Sequence, residues 1–118
     1  MTDREMLEMA AKAAGYKATA IDGGDFLVSE HEEDGYEAFW IKWNPLQDDG
    51  DALRLAVRLG IDLEWRADGR VAAYRHANAN GYCFTAFESS RENRAENTRR
   101  AIVHAAAEVG KRMIKGTE

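Results

Sequence analysis

The sequence predicts an α+β fold, a mostly antiparallel sheet packed by helices in the order α-β-β-β-α-β-β-β-α. Three observations carry that prediction. Stretches with apolar residues at helical spacing open the chain, recur near its middle and close it. Hairpin signals at Asp22-Gly23-Gly24-Asp25 and Asp68-Gly69 join strands through turns too short for parallel crossovers. Between them, Trp43-Asn44-Pro45 stops an aromatic strand just before the acidic helix start Asp48-Asp49-Gly50-Asp51.

The first helix follows Thr2-Asp3-Arg4-Glu5, where Thr2 and Glu5 can each accept from the other's backbone amide. Met6, Leu7, Met9, Ala10, Ala13 and Ala14 give it a broad apolar face, and Gly15 ends it. Tyr16 to Ile21 and Phe26 to Ser29 then form a hairpin, the polar run from Glu30 to Gly35 is a loop, and Tyr36 to Trp43 resumes as a strand. Trp43 is expected to anchor the following corner in the core. The second helix takes Ala52, Leu53, Ala56, Val57 and Leu59 as its apolar set and stops at Gly60. Ile61, Leu63 and Trp65 alternate with Asp62, Glu64 and Arg66, which marks a strand with one buried and one wet face. Val71 to His76 is its partner, Asn78-Ala79-Asn80-Gly81 turns the chain again, and Tyr82 to Phe87 completes a meander. The last helix starts near Asn93, buries Ile102, Val103, Ala106, Val109 and Met113, and ends near Gly116.

With 118 residues, 45% hydrophobic and 31% charged, the chain suits one domain, residues 1–118, that buries a modest core without metals or disulfides. No apolar run approaches the roughly 18 residues of a membrane helix, and the N-terminus lacks the order of a signal peptide, so a cytoplasmic protein is expected. The single cysteine, Cys83, sits in the apolar run Tyr82-Cys83-Phe84 and reads as a buried thiol.

Catalytic signatures are missing from the sequence. His31, His76 and His104 are isolated from any second ligand at a zinc-type spacing, so neither a metal nor a cofactor is expected. Gly23, Gly24 and Gly35 have no Gly-Lys-Ser/Thr after them and read as turn residues. Ser89 and Ser90 precede the last helix, where capping suits them better than nucleophilic catalysis. Asp48 and Asp49 could serve as a paired acid and base, but adjacent carboxylates at a helix start more often stabilise its exposed amides. The expectation is therefore a protein that is not an enzyme.

Charge is distributed unevenly. The first 64 residues hold fifteen acidic and six basic side chains, a net −9, while the remaining 54 carry a net +4. No lysine or arginine occurs between Lys17 and Lys42, where Glu30, Glu32, Glu33, Asp34 and Glu37 form a candidate acidic face. Such a face either keeps a loop solvated or docks a basic partner. Arg91, Arg94, Arg99 and Arg100 gather around the start of the last helix, where a small anion such as a nucleotide phosphate could bind unless Glu92 and Glu96 neutralise them. Trp40 and Trp43 are the candidate aromatic platform, although alternation puts only every second residue on one face. The net charge of −5 disfavours duplex DNA as a partner.

Trp43-Asn44-Pro45, the start Asp48-Asp49-Gly50-Asp51-Ala52-Leu53, the strand closing at Trp65 and the helix opening Thr98-Arg99-Arg100-Ala101-Ile102 together resemble small phage and prophage proteins of the alpha-beta-alpha sandwich type. The resemblance implies an accessory phage protein in the host cytoplasm. Two functions from different classes then stand as expectations. One is a non-catalytic module that blocks a host protein, such as a defence component, through its acidic face. The other is a protein that binds a small anionic ligand with the last helix's arginines. A homodimer is compatible with either, since small α+β domains with an exposed edge strand often pair across a two-fold axis.

Overall fold

The computed structural model describes residues 2–30, 40–67, 70–75 and 93–116. They form α1 (Asp3–Ala14), β1 (Tyr16–Ala20), a 3-10 turn (Asp22–Gly24), β2 (Phe26–Glu30), β3 (Ile41–Trp43), α2 (Asp49–Leu59), β4 (Ile61–Trp65), β5 (Val71–Arg75) and α3 (Arg94–Gly116). The α+β class is as expected. Every strand pairing among the described residues is antiparallel, but the strands divide into two sheets, ordered β1-β2-β3 and β4-β5. The expected strand Tyr82 to Phe87, residues 31–35 of the acidic loop and residues 36–39 of the aromatic strand lie outside the described residues, while Glu30, expected to open that loop, instead ends β2.

Local chemistry sets the helix ends. Thr2 Oγ1 accepts from Glu5 N at 3.1 Å while Thr2 N reaches Glu5 Oε1, so two amides with no intrahelical partner are satisfied at the start of α1. Asp48 does the same for α2, accepting from Asp51 N at 2.8 Å. Both helices end on a left-handed glycine, Gly15 at φ 80° and Gly60 at φ 65°, a conformation that costs a residue without a Cβ little. Arginines from elsewhere finish the job. Arg58 Nε donates to Ala14 O and Arg75 Nε to Leu59 O, which places a cation at the negative end of each helix dipole.

The core is one contiguous cluster with α3 at its centre, packed against α1, α2 and β5. Arg100 meets Asp3 near the start of α1, and Gly110 meets Met9 further along, so the two helices run in the same direction where they touch. Ala10, Ala11 and Ala14 of α1 and Ala101, Ala105, Ala106 and Ala107 of α3 are buried, and small side chains let the helices approach closely. At Gly110 the approach leaves no space: a Cβ there would collide with the Met9 carbonyl oxygen.

Side-chain placement departs from expectation in three elements. In α2 the buried residues are Ala52, Leu55, Ala56 and Leu59, whereas Leu53 and Val57 are 62% and 73% exposed. The helix is turned so that the stripe through Leu55 faces α3. In β4, Ile61 is buried as its alternation requires, but Trp65 is 52% exposed, because burial fades toward the strand's end. In α3, Ile102, Val103, Ala106 and Val109 are buried as expected, whereas Met113 is exposed near the helix's end.

Candidate functional site

The corner after β3 is built around Asn44. Its backbone N–H donates to Asp51 Oδ2 at 2.9 Å, its side-chain amide donates to Asp25 Oδ1 at 2.8 Å, and its side-chain oxygen accepts from Leu46 N at 3.1 Å. One residue thus joins the hairpin, the corner and the start of α2. Pro45 and Leu46 are buried beside it, and Trp43 packs edge-on against Tyr16 with ring centroids 6.0 Å apart. The Asn44 hydrogen bond, followed by that from Lys42 Nζ at 3.1 Å, holds the Asp25 carboxyl below the usual carboxylate range. Asp48 and Asp49 do not act as a pair: Asp48 caps α2, and Asp49 accepts from Arg99.

Next to this corner lies a recess of about 490 Å³ between the start of α1, the Gly23-Gly24 turn and Leu46-Gln47. Both of its carboxylates are engaged, Asp3 by Arg100 and Asp25 by Asn44 and Lys42. The recess therefore presents structural polar groups more than reactive ones.

The arginines at the start of α3 take different roles. Arg99 donates from Nε to Leu46 O at 3.0 Å and from Nη1 to Asp49 Oδ1 at 2.6 Å. Arg100 holds Asp3 at 3.0 Å. Each ties α3 to another helix or to the corner, so an anion binding there would compete with a carboxylate already in place. Arg94 is exposed, and Arg91 lies outside the described residues.

A second concavity, about 540 Å³, runs between α2, β4 and the start of α3. Ala52, Leu53, Leu63, Trp65, Ala95 and Ile102 supply its apolar lining, with Asp49, Arg94 and Arg99 at its polar margin. Trp65 is fixed there although half exposed, because its indole N–H donates to Thr98 Oγ1 at 3.0 Å and Thr98 in turn donates to Arg94 O. Val57 lies one helical turn beyond Leu53, so the apolar surface continues along α2.

No protein-family model, curated protein or solved structure matches this chain.

Of the residues singled out from sequence, Glu32, Glu33, Asp34, Glu37, Cys83, Ser89 and Ser90 lie outside the described residues, and only the backbone of Glu30 is described, in β2. The aromatic platform does not form as a pair. Trp43 is 5% exposed and belongs to the core, while Trp40 is 48% exposed; three residues apart on an extended chain, they cannot share a face. His104 sits 3.7 Å from Glu108 on α3, and among the described residues no three His, Cys, Asp or Glu side chains are placed to hold a metal ion. Nor is any described helix long and apolar enough to cross a membrane. The apolar surface of Leu53, Val57 and Trp65 was missed because all three fit a core pattern. The one available signal was that α2 is apolar on more of its circumference than a one-sided helix needs.

Proposed function

We propose that this chain is a non-catalytic binding module whose partner is a protein, acting in the phage or prophage setting that the sequence resemblance implies. The observation that carries the proposal is the surface of Leu53, Val57 and Trp65 around the 540 Å³ groove. Large apolar side chains gathered at the surface, with polar residues at their margin, mark protein contacts more often than chemistry. A half-exposed tryptophan already held by a hydrogen bond is a low-entropy anchor for such a contact. The partner is a host protein, such as a defence component, that presents an apolar segment with basic flanks. The run Glu30, Glu32, Glu33, Asp34 and Glu37 steers its approach. Blocking a host protein inside the cell needs no reactive group, only affinity.

The alternative, a nucleotide-like anion held by Arg91, Arg94, Arg99 and Arg100, has less support, because Arg99 and Arg100 already hold Asp49 and Asp3. The readings separate in one experiment. The tagged chain is used to capture partners from host lysate beside a Leu53→Asp, Val57→Asp variant and a Glu32→Lys, Glu33→Lys, Asp34→Lys variant, with calorimetry against a nucleotide panel in parallel. The expected result is one host protein retained by the native chain and lost from the first variant, with weaker retention by the second at low salt. Retention by all three chains, or heat from a nucleotide in the absence of any captured protein, would overturn the proposal.

A further inference from the structure

Building on the proposed protein contact at the groove, we infer that Thr98 is the positioning residue of its tryptophan anchor. The Thr98 hydroxyl withdraws the Trp65 indole N–H from recognition and sets the ring, so that the partner meets Trp65 through the ring alone, with an apolar side chain.

Chemistry forces the direction of both hydrogen bonds. An indole N–H can only donate, and a backbone carbonyl can only accept. Lying 3.0 Å from Trp65 Nε1 and 2.7 Å from Arg94 O, the Thr98 hydroxyl therefore gives its single proton to the carbonyl and takes the indole proton on a lone pair. The bond to Arg94, four residues earlier on α3, fixes the Thr98 rotamer, and that rotamer fixes where the indole proton points. A side chain of β4 is thus oriented by the backbone of α3.

With that proton engaged, Trp65 has no further polar group to offer. Its surroundings in the groove are equally apolar: Leu53 from α2, Leu63 from β4, and Ala95 and Ile102, which lie on the same side of α3 as Thr98. A partner side chain with a polar tip laid here would lose water without gaining a hydrogen bond, whereas an aliphatic or aromatic one loses nothing. Because Trp65 is half exposed, water can replace Thr98 on the indole N–H, and loss of the hydroxyl falls on ring orientation more than on folding. A ring free to turn must be ordered again on binding, which costs about three- to tenfold in affinity for one bulky side chain.

The test combines NMR of the free chain with a double-mutant cycle. Thr98→Val replaces the hydroxyl by a methyl of similar shape, and Thr98→Ser keeps the hydroxyl. In the free chain, the Trp65 indole N–H should exchange slowly with solvent in the native protein and in Thr98→Ser, and faster in Thr98→Val with little change in the urea midpoint. The binding probe is the purified host protein that the native chain retains and the Leu53→Asp, Val57→Asp variant loses. Thr98→Val should weaken its binding about three- to tenfold, and Thr98→Ser should match the native chain. In a Trp65→Phe background, which lacks the indole N–H, Thr98→Val should change nothing. Equal losses in both backgrounds would mean that Thr98 touches the partner itself, and native or higher affinity in Thr98→Val would mean that the N–H serves the partner; either overturns the inference while the groove contact stands. Equal indole exchange in the native chain and Thr98→Val overturns it without any partner, and should that variant not fold, fast exchange in the native chain does the same. A host protein retained regardless of Leu53 and Val57 removes the groove contact and the role of Thr98 with it.

Discussion

Arg99 is largely shielded from water, with its Nε on the Leu46 carbonyl and its Nη1 on Asp49, while its neighbour Arg100 meets Asp3 in a more open setting. Lysine at 99 keeps the charge but cannot make both contacts, so Arg99→Lys is expected to cost about 1–3 kcal/mol in urea unfolding. Arg100→Ala should cost about 1 kcal/mol or less, as exposed pairs do. Sequence placed both arginines in one cationic cluster; only the packing assigns one of them to the corner. Gly110 is a second case, invisible as a motif. Alanine would ordinarily favour a helix interior by about 1 kcal/mol. Here its methyl would meet the Met9 carbonyl oxygen, so Gly110→Ala should lower stability by about 1–3 kcal/mol net. Asp25 provides the pH prediction. Its folded-state carboxyl titrates lower than in the unfolded chain, so the stability it contributes is present at neutral pH and lost as pH falls through the range below about 4. Between pH 5 and pH 3, native protein should lose more thermal stability than an Asp25→Asn variant, and equal losses would contradict that assignment.

At the scale of elements, α2 shows why a pattern can predict a helix and still misplace its face. Ala52, Leu55, Ala56 and Leu59 form one stripe, and Leu53 with Ala56 and Val57 forms another; both recur at helical spacing. Neighbouring stripes lie about 100° apart, and periodicity alone gives no reason to prefer one. Contact with α3 selects the first. Leu55→Ala should therefore cost about 2–5 kcal/mol, while Leu53→Ala and Val57→Ala stay within about 0.5 kcal/mol and act on partner capture instead. Capping behaves differently. Thr2, Glu5 and Asp48 were all legible, because a cap needs only residues within one turn of itself.

Across the whole molecule, α3 contacts α1, α2 and β5, and the buried residues form a single cluster that draws on both sheets. A shared core predicts shared unfolding. Circular dichroism, which follows mainly the helices, and tryptophan fluorescence, to which buried Trp43 contributes, should report one denaturant midpoint. Two separated midpoints would show that the sheets unfold independently. The proposed working surface lies at the margin of this core, an apolar groove on α2 and β4 that carries no recognisable sequence motif.

The sequence by itself determined what depends on neighbours along the chain: the α+β class, the caps that open α1 and α2, the hairpin between β1 and β2, and the proline that ends β3. These follow from turn chemistry, side-chain alternation and the amides left over at helix ends. Tertiary structure alone decided what depends on which surfaces meet. It divided the described strands between two sheets, set the face of α2, left Trp65 half exposed, placed Gly110 against Met9, and paired Arg99 and Arg100 with carboxylates far away in the chain. Those outcomes are fixed by packing between segments distant in sequence, where several local patterns are equally satisfied and close contact in the core selects among them.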